Sequence, residues 1–148
     1  MSTPLEILLV EDNPNDAELA IRALQKRNLA TSLIHVEDGQ AALDFLFCVG
    51  AHEGRDVNHL PKVVLLDLKL PKVDGIQVLR QLRADPRTKL LPVVVLTSSR
   101  EERDVIETYE LGANSFIVKP VDFENFSEAV SNLGLYWLLL NEPPVRKA

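Results

Sequence analysis

Short apolar runs alternate along the chain with stretches of helical periodicity. The runs Ile7–Val10, Val63–Leu66, 93–96 and 116–118 are rich in β-branched residues and end in polar ones. Each is too short for a core helix, so each predicts a strand buried on both faces. Residues 31–36 form a weaker, more polar run and predict a strand nearer an edge. Between the runs, Pro14 suits a first helical position, and Ala17, Ile21 and Leu24 then share a face. Ala42, Phe45, Leu46 and Val49 recur at i, i+3, i+4 and i+7, as do Gly75, Val78, Leu79 and Leu82, with Asp74 as N-cap of the latter helix. A more polar helix is predicted over 101–111, with Gly112 suiting its C-terminal cap. A last helix starts near Asp122 and carries Phe123, Phe126, Val130, Leu133, Trp137 and Leu140 along one seam.

Five strands alternating with five helices imply an α/β fold, a doubly wound parallel sheet with helices on both faces and right-handed crossovers. Residues 50–61 predict a surface loop, and 142–148, with the Pro143-Pro144 pair, a loose tail.

Composition narrows the function classes. A chain of 148 residues, 46% hydrophobic and 26% charged, fits one globular domain with a real core. One cysteine, Cys48, excludes an internal disulfide framework and a cysteine-based zinc cluster. The formal net charge of −6 disfavours broad phosphate-backbone binding. There is no basic n-region at the start, and the uncharged stretch 129–141 is too short to span a bilayer. A cytoplasmic protein with neither nucleic acid nor membrane as partner is expected. His35, His52 and His59 lack metal-ligand spacing; His35 reads as a strand residue and the others as loop residues. Cys48 reads as a small core residue.

The strand ends carry the chemistry. In open α/β sheets ligands bind beyond the carboxyl ends of the strands. The first predicted strand ends in Glu11-Asp12, the third in Asp67, the fourth in Thr97-Ser98 and the fifth in Lys119-Pro120. Taken alone, Asp67 is an ordinary turn or cap residue, and Glu11-Asp12 could simply open a helix, where acids favour the dipole. Together, three acids, a hydroxyl and an ammonium converge on one sheet edge. Carboxylates that close repel one another unless a cation sits among them, and oxygen-only ligation favours Mg²⁺. A cation beside Lys119 and Thr97 makes a cradle for a phosphoryl group, in which an Asp could attack phosphorus to form an acyl phosphate.

The runs LLVEDNP (8–14), VVLLDLKLPKVDG (63–75), VVVLTSS (93–99) and FIVKP (116–120) resemble the receiver domain of two-component response regulators. The resemblance covers residues 5 to about 135. It implies a flavodoxin-like fold with strand order 2-1-3-4-5. It implies that Asp67 accepts a phosphoryl group from a phosphohistidine on a sensor histidine kinase. Glu11, Asp12, Asp67 and the backbone carbonyl of Lys69 would then surround Mg²⁺, with Lys119 contacting the phosphoryl oxygens. Thr97 would be drawn toward them and Phe116 would turn inward, shifting the population of a bistable surface. Phe116 stands where tyrosine is frequent, so its ring can switch burial without donating a hydrogen bond. Lys119-Pro120 resembles the family's cis peptide.

Output is expected to come from binding, as a phosphoacceptor switch rather than an enzyme. The receiver is expected to span 1–141 with an extended last helix, and 142–148 to be tail. That helix continues into Leu135, Tyr136, Trp137, Leu138, Leu139 and Leu140, apolar all round. Such a surface marks an interface, here a homodimer. The added loop and the apolar helix resemble the single-domain regulators paired with bacterial phytochromes and related hybrid kinases. A flavodoxin-like cofactor binder is disfavoured because Glu11 and Asp12 would repel a phosphate in the first loop. A Mg²⁺-dependent phosphodiesterase would want an acid where Lys69 stands. A constitutive module without phosphorylation leaves the complete acid, Thr97 and Lys119 set unexplained.

Overall fold

The computed structural model describes residues 7–26, 32–50, 53–54, 60–97, 107–113, 115–118 and 128, with the backbone alone for 97 and 115–118. In chain order the elements are β1 (Ile7–Val10), α1 (Pro14–Lys26), β2 (Leu33–Val36), α2 (Gly39–Phe47), β3 (Val63–Leu66), α3 (Gly75–Ala84), β4 (Val93–Thr97) and β5 (Ser115–Val118). All strand pairs are parallel, and the sheet order is β2-β1-β3-β4-β5. The order agrees with the resemblance, and the polar run 31–36 yields an edge strand, as its composition predicts.

Central strands carry unbroken apolar runs because successive side chains enter opposite cores. Ile7 and Leu9 of β1 pack with Val63, Leu65, Val94 and Leu96 against Ala17, Ala20, Ala23 and Leu24 of α1. Leu8 and Val10 pack with Val64, Leu66, Val93 and Val95 against residues of α2 and α3, among them Leu46, Val78, Leu79 and Leu82. The alanines let α1 lie close to the sheet.

Helix ends follow local chemistry. The Asn13 side chain accepts from the amides of Asn15 (2.9 Å) and Asp16 (3.1 Å) ahead of α1. Asp38 and Asp74 cap α2 and α3, and Asp74 forms a reciprocal capping box with Gln77. Residues 107–110 are helical, and Gly112, at φ +79°, ends that helix. The Ala113 amide donates to Thr108 and the Gly112 amide to Tyr109, which satisfies two carbonyls of its last turn.

Two expectations for α2 need correction. Val49 is not on its buried face: the helix stops at Phe47, and Val49 is 49% exposed. Cys48 is not a core residue but a half-buried C-cap at φ +57°, where it turns the chain out of the helix. The predicted start of the polar helix (101–106), the last helix apart from Glu128, and Leu135, Tyr136, Trp137, Leu138, Leu139, Leu140 and 142–148 lie outside the described residues. Most of the 50–61 loop does too, including His52 and His59. Among the described residues no helix is long and apolar enough to cross a membrane.

Arg83, in the last turn of α3, ties distant segments together. Its guanidinium donates to the carbonyls of Leu91 (2.8 Å), Leu111 (2.9 Å), Gly112 (2.9 Å) and Lys89 (3.0 Å). Partial burial holds its pKa below the usual arginine value. The α3 helix is thereby joined to the entry of β4 and to the end of the 107–110 helix.

Candidate functional site

The sheet register brings the acids together. Val10 of β1 lies beside Leu66 of β3 and Val36 of β2. One residue further, the Glu11 amide donates to Val36 (3.1 Å) and the Asp67 amide to Val10 (3.0 Å). Both chains therefore leave the sheet at the same level. Carboxylate oxygens of Glu11, Asp12 and Asp67 lie within 4.8 Å of one another, with Glu11 and Asp67 buried and Asp12 exposed.

Backbone amides orient two of these acids. Glu11 Oε2 accepts from the Asn13 amide at 3.2 Å, and Asp67 Oδ1 from the Lys69 amide at 3.2 Å. The start of α1, two residues beyond Asp12, turns the positive end of its dipole toward this edge. After Asp67, Leu68 and Leu70 are buried while Lys69 between them is exposed at the rim. This alternation pins the loop from below. The first residue of α3, Gly75, packs on the same main chain: its amide donates to Leu68 at 2.9 Å, and a Cβ there would lie 2.2 Å from the Asp67 carbonyl oxygen.

The donor set suits a hard cation. It offers oxygens only, it concentrates negative charge, and its exposed member, Asp12, leaves the cluster open toward solvent. A divalent ion fits this chemistry, whereas a phosphate alone would be repelled.

Of the residues read from the sequence, Glu11, Asp12 and Asp67 are brought together, and Lys69 sits two residues beyond Asp67. Thr97 is the last residue of β4, and its backbone ends at the same edge. Phe116 lies on β5. The side chains of Thr97 and Phe116, together with Ser98, Lys119 and Pro120, lie outside what is described.

Several residues that shape the site escaped the sequence reading. His35 is a strand residue as expected, but its Nε2 also donates to the Glu11 carbonyl at 2.8 Å. Asp38, Gly39 and Lys72 join the start of α2 to the loop after Asp67. An Asp-Gly pair after a strand is a visible local signal of a helix start, but nothing local reveals a partner more than thirty residues away.

The receiver-domain model of response regulators matches residues 7–131, and the chain belongs to that family. FilR2 of Methanothrix harundinacea, described as a probable methanogenesis regulatory protein, is 43% identical over 141 residues, 95% of this chain and 88% of its own length. The response regulator Rcp1 of Synechocystis is 39% identical over 135 residues, 91% of this chain and 90% of its own. The Mn(2+)-bound crystal structure of Rcp1 matches with a TM-score of 0.86 at 38% identity, covering 96% of this chain and 100% of that one. The bacteriophytochrome response regulator AtBRR is 50% identical at a TM-score of 0.72, covering 95% and 100%. This chain is thus similar over nearly its whole length to compact regulators, including phytochrome-linked ones.

Proposed function

We propose that the protein is a phosphoacceptor switch that receives a phosphoryl group on Asp67 from a phosphohistidine of a sensor histidine kinase, in a Mg²⁺-dependent reaction. The observation that carries this reading is the approach of the Glu11, Asp12 and Asp67 carboxylates to within 4.8 Å at the carboxyl edge of the sheet. Glu11, Asp12, Asp67 and the Lys69 carbonyl would hold the metal. When bound, Mg²⁺ offsets the charge of the acids and of the incoming phosphoryl oxygens. Asp67, oriented by the Lys69 amide, supplies the attacking oxygen. A new O–P bond forms as the N–P bond of the donor breaks, and the imidazole leaves with a proton taken from solvent. Lys119 pairs with a phosphoryl oxygen and Thr97 donates to another. The movement of Thr97 is followed by Phe116 turning inward, which changes the face formed by the 101–111 helix, β5 and the last helix.

The receiver spans 1–141 and 142–148 is tail. The protein acts in the cytoplasm, and its kinase is of the phytochrome or hybrid type, a reading supported by the likeness to the bacteriophytochrome response regulator AtBRR. Signalling proceeds through self-association by the last helix, supported by the apolar residues from Leu135 through Leu140. Phosphorylation strengthens that association, and sedimentation of both forms would detect unchanged or weaker association if this is wrong.

Intact mass after incubation with acetyl phosphate tests the switch itself. One phosphoryl group should appear in the wild type with Mg²⁺, and none in Asp67→Asn or without metal. No gain in the wild type, with the acyl phosphate trapped before hydrolysis, would overturn the reading.

A further inference from the structure

We propose that the Asp38-Gly39 start of α2 is a positioning brace for the loop between β3 and α3, and through it for the Lys69 carbonyl and Asp67. The proposal rests on the metal-site reading above. The loop contains a turn that needs support: the Val73 amide donates to the Pro71 carbonyl at 2.9 Å while Lys72 stands at φ +67°. This is the rarer, positive-φ form of the γ-turn, strained for a residue with a side chain. Three contacts from α2 meet this one turn. The Gly39 amide donates to the Pro71 carbonyl at 3.4 Å. The Lys72 ammonium lies 3.5 Å from Asp38 Oδ2, while Oδ1 of the same carboxylate accepts from the Ala41 amide at 2.7 Å to cap α2. A Cβ on Gly39 would stand 1.7 Å from the Val73 carbonyl oxygen and 2.6 Å from its carbon, so helix and loop touch backbone to backbone.

Helix formation does not explain Gly39. Glycine weakens a helix relative to alanine, and Gly39 is not among the positive-φ residues that favour glycine. Close approach is the remaining reason. The ion pair is the softer part of the brace, since Lys72 is 69% exposed and such pairs contribute little. The backbone approach is the stiff part. Lys69 then sits between two clamps, Gly75 on the Asp67-Leu68 main chain and Gly39 on 71–73. Displacing either clamp moves the Lys69 carbonyl relative to the acids.

The test uses the full chain, with Mn²⁺ titrated by calorimetry and amide exchange followed across 67–75 in the metal-free protein. Gly39→Ala should weaken Mn²⁺ binding by about tenfold or more, the usual consequence of disturbing a metal site's supporting shell. It should also speed exchange at the Val73 and Gly75 amides. Asp38→Asn keeps the cap but loses the ion pair, and should produce the same changes more weakly. Adding Lys72→Gly to Asp38→Asn relieves the positive-φ strain in the loop and should return affinity toward wild type, whereas adding Cys48→Gly, which relieves positive φ outside the loop, should not. A folded Gly39→Ala with wild-type affinity and exchange overturns the brace. If that variant does not fold, Asp38→Asn with wild-type affinity and exchange overturns it instead. A wild type that takes no Mn²⁺, with faster loop exchange in the variants, would sink the metal reading and leave the brace standing.

Discussion

The Asp67 amide donates to the Val10 carbonyl at 3.0 Å, so the proposed phosphoacceptor is hung from the strand that delivers Glu11 and Asp12. This bond continues the β1–β3 ladder one residue past its last strand pair. Three negative charges are placed together by the same hydrogen bonds that build the sheet. The core beneath them supplies the stability that this repulsion opposes.

Removing one acid should separate metal binding from folding. The wild type should gain about 2.7 kcal/mol at a divalent cation concentration near a hundred times Kd, a Tm rise of about 5–10 °C. Asp12→Ala should melt higher than wild type without metal, because a like charge is gone, and should lose most of the metal-induced rise. Thermal melts with and without Mn²⁺ check this; equal rises in both proteins would count against Asp12 as a ligand.

Arg83→Ala should destabilise the fold by about 2–4 kcal/mol, because several carbonyls lose a shared charged donor. Arg83→Lys should recover less than half of that, since an ammonium lacks the planar fork that reaches Leu91, Leu111 and Gly112 together. Burial lowers the Arg83 pKa, so its desolvation cost applies wherever the folded form is charged and disappears only above the ordinary arginine value. Arginine stays protonated far above neutrality, so the Arg83 contribution should be flat from about pH 5 to pH 9. Urea denaturation at several pH values measures both effects.

Cys48→Gly should stabilise the protein by about 1 kcal/mol, because glycine takes the left-handed C-cap conformation without the penalty a Cβ brings. Cys48→Ala keeps that penalty and should not stabilise. Chemical denaturation of the pair distinguishes backbone strain from loss of the thiol.

Burial should sort the leucines sharply. Leu66→Ala empties a fully buried position between β1 and β4 and should cost about 2–5 kcal/mol. Leu90→Ala, at a position 66% exposed, should change stability by less than about 0.5 kcal/mol. A large cost at Leu90 would mean that another surface covers it.

Strand positions, the starts of α1 and α3, and the candidate acids were legible from residue order. Strands β1 and β3 are continuous apolar runs because both faces are buried, and the acids follow them directly. The end of α2 was not legible: Val49 keeps the helical spacing, and only the left-handed turn at Cys48 takes it out of the core. That turn is held by the Val49 amide donating to Asp44 (3.0 Å), against a spacing that predicts another turn of helix.

Hydrophobic period, turn chemistry and the residues ending each strand are local properties, so the chain's order alone determined the α/β alternation, the family and Glu11, Asp12 and Asp67 as the acids to watch. The reach of Arg83 to Leu111, of His35 to Glu11 and of Asp38 to Lys72 spans 24 to 34 residues. Each depends on which strands lie side by side and at what register. Only the tertiary structure decided those contacts, because hydrogen bonds and close backbone approaches of this kind depend on distance in space and leave no period along the chain.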